Sequence, residues 1–149
     1  MPTEQERNKA IVLEMYEEVW NKRNLAFIDE AVSADFVDNP PKRFFDVPTR
    51  GRESLYEAAS GFHKGFADFH DEMIQIVAEG DRVVYLGEIT GTHTGDLFGV
   101  PASGKPVKVY GINYFRMKDG KIVERWGIFD VMAMMQQIGM IPSPGQGEH

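Results

Sequence analysis

Cysteine is absent from all 149 residues, which excludes disulfides, thiolate nucleophiles and cysteine-based zinc sites. Positive charge is in the minority: 16 Lys and Arg face 23 Asp and Glu, for a formal net charge of -7. With no basic patch to override that average, neither nucleic acid nor an anionic membrane is an expected partner. Long apolar runs are also missing, since none approaches the roughly 20 residues needed to span a bilayer. The Met1-Pro2-Thr3-Glu4 start is too polar for a secretory signal, so a cytoplasmic protein is expected. The length suits one domain, taken as residues 1–141, with 142–149 as a flexible tail.

What is present divides into a helical half and a strand half. Thr3 and Glu6 have capping-box spacing, and Val12, Met15, Tyr16, Val19 and Trp20 then recur at helical period opposite Glu14, Glu17 and Glu18. A short second helix is predicted over Leu25–Val32, a short edge strand over Asp35–Asp38 stopped by Asn39-Pro40-Pro41, and a third helix with Leu55, Ala59, Phe62 and Phe66 inward after a Pro48 to Gly51 break. From Phe69 onward β-branched and aromatic residues dominate. Strands are predicted at about 69–78, 82–93, 106–117 and 121–129, with turns at Glu79-Gly80-Asp81 and Lys118-Asp119-Gly120 and a long loop at 94–105. Met132 to Ile138 reads as a last helix closing on Gly139. Helices followed by an antiparallel meander define an α+β fold, a curved sheet packed against the N-terminal helices.

A bent sheet against a long helix encloses a cone that can hold a ligand. Tyr16, Phe62, Phe66, Tyr85 and Trp126 are the aromatic candidates for its wall, and a small hydrophobic or aromatic substrate suits them. Polar residues inside apolar strands discriminate better, because a buried polar group needs a partner. Asn113, between Ile112 and Tyr114, has amide donors for a substrate carbonyl or else faces solvent; Asn39 is a turn residue or a cavity group; His93, between two threonines, borders the cavity mouth or anchors a loop. Asp130, after Gly127-Ile128-Phe129, either points inward, where desolvation raises its pKa for acid/base work, or caps the final helix. Glu124 is the second carboxyl of interest, with Arg116 or Arg125 as cross-strand partner.

Two apparent motifs fail. The four histidines lie in separate elements without ligand spacing, so no metal is expected. Gly99-Val100-Pro101-Ala102-Ser103-Gly104-Lys105 matches the start of a P-loop, but Pro106 replaces the Ser/Thr and a strand follows where a helix is needed.

Taken together, Ala78-Glu79-Gly80-Asp81-Arg82-Val83-Val84, Gly91-Thr92-His93-Thr94-Gly95, Gly99 to Lys105, Gly111-Ile112-Asn113-Tyr114-Phe115-Arg116 and Asp119 to Trp126 ending at Asp130 resemble the SnoaL-like polyketide cyclases of the nuclear transport factor 2-like superfamily. The resemblance extends to Tyr16, Trp20 and Asn21 in the opening helix. It implies a cofactor-free intramolecular aldol condensation of a polyketide-type ester, Asp130 as the acid/base, and a homodimer or tetramer assembled through the outer sheet face. The chain departs from many relatives at Asn39-Pro40-Pro41, where they carry a histidine. An isomerase, dehydratase or epoxide hydrolase on the same cone, or a non-catalytic binding or dimerisation module, are the alternatives.

Overall fold

Thr3 opens the first helix as its spacing predicts: its hydroxyl accepts the Glu6 amide at 3.1 Å, and α1 runs over Glu4–Met15. The structure, a computed structural model, describes residues 1–39 and 49–142. Beyond Met15 the helix widens into a π-helical turn, Tyr16–Asn21, a distortion that often marks functional positions. Val12, Met15, Tyr16 and Val19, the predicted stripe, are all buried.

A 3-10 turn at Leu25–Phe27 leads into α2, Ile28–Ala31, and then β1, Val32–Asn39. Pro40, Pro41 and Pro48 lie outside the described residues, as does the expected tail beyond Pro142. Helix α3, Glu53–Gly65, buries Leu55, Ala59 and Phe62, and Phe66 follows at its end, also buried. Arg23 holds that end in place, donating to the carbonyls of His63, Phe66 and Ala67 at 3.2, 2.8 and 2.5 Å. Four strands follow: β2 His70–Glu79, β3 Arg82–Thr92, β4 Pro106–Lys118 and β5 Lys121–Phe129. Helix α4, Val131–Gln137, ends just before Gly139, whose φ of 84° only glycine adopts readily.

The five strands form one sheet in the order β1-β5-β4-β3-β2. All neighbours are antiparallel except β1, which joins the edge parallel to β5. Helices α1 and α3 cover one face through two apolar clusters. One gathers around Val12, Met15, Val19, Phe36 and Phe115, the other around Phe62, Phe66, Phe69, Leu97 and Met134.

Two bulges decide which side chains reach that covered face. In β2, Met73 pairs with Gly87 and Gln75 with Leu86, leaving Ile74 as an extra residue. In β5, Glu124 pairs with Arg116 and Ile122 with Met117, leaving Val123 extra. Because side chains alternate with period two, each extra residue exchanges the inward and outward sets beyond it. Ile76 and Ala78 are the half-buried residues at one end of β2, yet Asp71 is the buried one at the other. In β5, Ile122 is inward but so are Arg125, Gly127 and Phe129, opposite Phe115, Asn113 and Gly111.

Phe115 is 1% exposed at the centre of the first cluster. Phe115→Ala is expected to lower unfolding free energy by roughly 3–5 kcal/mol, while the exposed Lys118→Ala changes it by no more than about 0.5 kcal/mol. Urea titrations of the two variants against wild type measure the difference.

Candidate active site

A cavity lies where the two apolar clusters meet. Met15, Tyr16, Trp20, Phe36, Leu55, Phe62, Phe69, Ile89, Phe115 and Phe129 supply its apolar wall, and Asp71, Asn113 and Arg125 its polar groups. About 60 Å³ is open to the centres of water molecules. At ~10–15 Å³ for each water, that is room for a handful of waters or one aromatic ring.

Asp71 is held at both its backbone and its side chain. Asn21, the last residue of the π-helical turn, accepts the Asp71 amide on Oδ1 at 2.8 Å and donates Nδ2 to the Asp71 carbonyl at 3.0 Å. The Tyr85 hydroxyl donates to Asp71 Oδ1 at 2.9 Å. That carboxylate lies over Gly87, where a Cβ would strike Asp71 Oδ1 and the Tyr85 ring. Burial raises the Asp71 pKa from 3.8 to about 7; the Tyr85 hydrogen bond and His70 oppose the rise, and Glu72 adds to it. Tyr16 stacks on Tyr85 with centroids 3.7 Å apart. Burial, and then the Asp71 charge, lift both phenols above their ordinary pKa, so they remain protonated donors.

Arg125 is the centre of a second polar group. Its Nη1 donates to both oxygens of Asp38 at 2.9 Å, and its Nε donates to Asn113 Oδ1 at 2.8 Å. Asp38 is 3% exposed, so the pair answers the cost of burying either charge. The Arg125 contact also orients the Asn113 amide: with Oδ1 accepting, Nδ2 is left as a donor with no partner among the described residues, as is Arg125 Nη2. Both groups lie over Gly127, where a Cβ would strike Asn113 Oδ1 and Arg125 Nη2.

Of the residues selected from the sequence, Tyr16, Phe62 and Asn113 line this cavity. Tyr85 is buried directly behind it, against Tyr16 and Asp71. The remaining selections lie outside the cavity wall. Trp126 projects from the opposite face of the sheet, 38% exposed and packed edge-on to Tyr114. Asn39 is on that outer face too, donating to Glu124 at 2.8 Å and to the Arg125 carbonyl at 3.3 Å. Glu124 pairs with Arg116 at 2.9 Å, one of the two cross-strand partners expected for it. Phe66 is core, packed on His93 and Gly91. His93 anchors the 94–104 loop, with Nδ1 bonded to the Ser103 hydroxyl at 2.9 Å. Asp130 is exposed and caps α4, accepting the Ala133 amide at 3.0 Å. It borders a separate depression on the outer face with Tyr110 and Ile112, so its expected inward orientation is not what the fold builds.

The comparisons with known proteins bear on this geometry. The model of the SnoaL-like polyketide cyclase family matches residues 10–138. The chain belongs to the SnoaL-like polyketide cyclase family. Aklanonic acid methyl ester cyclase DnrD of Streptomyces peucetius is 26% identical over 123 residues, 82% of this chain and 84% of DnrD. Among solved structures, IdmH of Streptomyces antibioticus, a candidate polyketide cyclase, superposes with a TM-score of 0.78 at 29% identity, covering 89% of this chain and 98% of IdmH. A candidate SnoaL-like cyclase of Jannaschia sp. CCS1 superposes at 0.81 with 24% identity, covering 95% and 98% of the two chains, a likeness of fold. The α+β architecture is therefore the SnoaL-like one. No helix among the described residues is long and apolar enough to cross a membrane.

The sequence reading of this SnoaL-like chain missed Asp71, and it placed Arg125 only as a possible surface partner of Glu124. Each lies beyond a bulge, so extrapolating the alternation from the well-marked end of its strand turns it outward. The available signals were Gly87 and Gly127, each an interior strand glycine that marks the close approach of another group.

Asp71 also sets a pH dependence of stability. Between about 4 and about 7 the folded protein holds a proton that the unfolded chain has released, so stability falls as pH rises through that window, by at most about 1.4 kcal/mol per pH unit. Chemical denaturation of wild type and Asp71→Asn at pH 4.5, 5.5, 6.5 and 8 is expected to give curves that diverge through the window and run parallel above it, the wild type losing stability relative to the variant. A constant offset between them would refute the assignment.

Proposed function

We propose that this chain closes a ring by cofactor-free intramolecular aldol condensation of a polyketide-type ester, with Asp71 as the general acid and base. The carrying observation is that a desolvated carboxyl, raised to about 7, shares an apolar cavity with Asn113 and Arg125 donors that have no partner among the described residues. Such a group is divided between its two protonation states near neutrality, where a proton shuttle works best.

The ionised Asp71 removes a proton from the carbon between two carbonyls. The resulting enolate carbon attacks a ketone of the same substrate, forming the carbon–carbon bond while the ketone π electrons move to oxygen. Asp71 returns its proton to that alkoxide, so substrate and product are isomers and the enzyme is regenerated. Asn113 Nδ2 and Arg125 Nη2 stabilise the oxyanion in a site where few waters compete. Tyr85 and Asn21 keep the carboxyl aimed. The cavity admits one ring of such a substrate, and the remainder must displace Trp20, Phe62 or Phe129 or extend through the mouth. DnrD, by its name a cyclase of aklanonic acid methyl ester, supports an aromatic ester as the substrate. An epoxide hydrolase is the weaker reading: a carboxylate is joined to Arg125, but among the described residues Asn113, and no second carboxylate, takes its other side.

Turnover of aklanonic acid methyl ester is the direct test. Asp71→Asn is expected to lose roughly 10²–10⁴-fold in rate while Asp130→Asn, which keeps the helix cap, stays within about twofold of wild type. The reverse pattern would return the acid/base role to Asp130, and an inactive wild type would favour a binding protein.

The outer sheet face favours self-association of this fold. Val77, Tyr110, Ile112, Tyr114, Trp126 and Ile128 are each between 38% and 59% exposed on it, and apolar side chains gathered on one open sheet face suit a contact between copies. Light scattering is expected to report a dimer or tetramer that Trp126→Glu with Ile112→Lys converts to folded monomer. A monomeric wild type at high micromolar concentration would exclude this.

A further inference from the structure

The polar wall of the cavity is asymmetric in hydrogen-bonding sense. Asn113 is 9% exposed, and the Arg125 Nε contact commits its oxygen and leaves its amide nitrogen unpartnered among the described residues. Arg125 spends Nη1 on Asp38 and Nε on Asn113, leaving Nη2. Asp38 and Asn113 thus grip the guanidinium from two sides and fix the direction of its free edge. Gly127 leaves room for it against β5, since a Cβ there would strike Arg125 Nη2 and Asn113 Oδ1. Such an arrangement has donors to offer and no acceptor, and a neutral carbonyl oxygen answers it less fully than an oxygen bearing a whole negative charge.

We propose that Arg125 and Asn113 form an oxyanion subsite whose ligands are the conjugate bases of enols and phenols, planar rings carrying one charged oxygen. The subsite rests on the ring-closing reading only for its biological ligand, because an aldol substrate becomes such an anion when Asp71 takes its proton. A free carboxylate is the competing anion. It needs no proton-accepting group beside it, whereas this cavity holds Asp71, and one planar ring matches the space available. Asp38 is a positioning residue, acting through Arg125.

The test uses 4-nitrophenol, whose neutral and ionised forms absorb at different wavelengths, with benzoate as competitor and no turnover required. Wild type is expected to bind it with the phenolate band appearing at pH values below its free pKa, and to prefer the phenolate over benzoate. Asn113→Ala is expected to weaken phenolate binding by about tenfold or more. The paired Asp38→Asn and Arg125→Gln variant removes both charges together, so that neither is left buried alone, and is expected to lose the band. A neutral bound phenol, a phenolate band retained in the paired variant, tighter benzoate, or no binding to folded wild type would each overturn the subsite. Phenolate binding without ester turnover would instead defeat the cyclase reading and leave the subsite standing.

Discussion

A pleated strand shows alternate side chains to each face, so a single inserted residue exchanges inside for outside over everything beyond it. This constraint organises the site. The bulge at Ile74 turns Asp71 toward the helices, and the bulge at Val123 turns Arg125 the same way while sending Trp126 and Asp130 to the outside. With both strands regular, the inner wall would carry neither the acid nor the guanidinium.

Holding polar groups on that wall is costly, and the surrounding structure answers the cost residue by residue. Arg125 and Asp38 neutralise each other, Asn113 accepts from the guanidinium, and Tyr85 donates to Asp71. What is left unanswered is chemically informative. Asp71 retains a pKa near 7 because one phenolic hydrogen bond does not offset its desolvation, and Asn113 and Arg125 retain donors that no group among the described residues takes. Glycines 87 and 127 permit both arrangements by withholding a Cβ under the carboxylate and the guanidinium. Strand interiors ordinarily disfavour glycine, so each accepts a local weakening of the sheet in return for a group placed against the backbone.

Membership in the SnoaL-like family and the fold shared with its solved members describe the container. The reaction depends on which side chains the container turns inward. The π-helical turn contributes here as well, since Tyr16, Trp20 and Asn21 all belong to it. Tyr16 and Trp20 line the cavity, and Asn21 extends the hydrogen bonding of the edge strand to fix the Asp71 backbone.

Local patterns alone specified the elements: the Thr3 cap, the stripe from Val12 to Val19, the hairpin turn at Asp119-Gly120 and the limits of β3 and β5 were all legible, because caps, periodicity and turn chemistry act over a few residues. The burial of Tyr16 and Phe62 was legible for the same reason, while Asn113 stood open between cavity and solvent until the strand register was known. The inward turn of Asp71 and Arg125, the parallel pairing of β1 with β5 and the outward placement of Trp126 and Asp130 were decided only in the assembled sheet. A bulge is a property of two strands paired in one register, and neither strand read by itself records where its partner skips a residue.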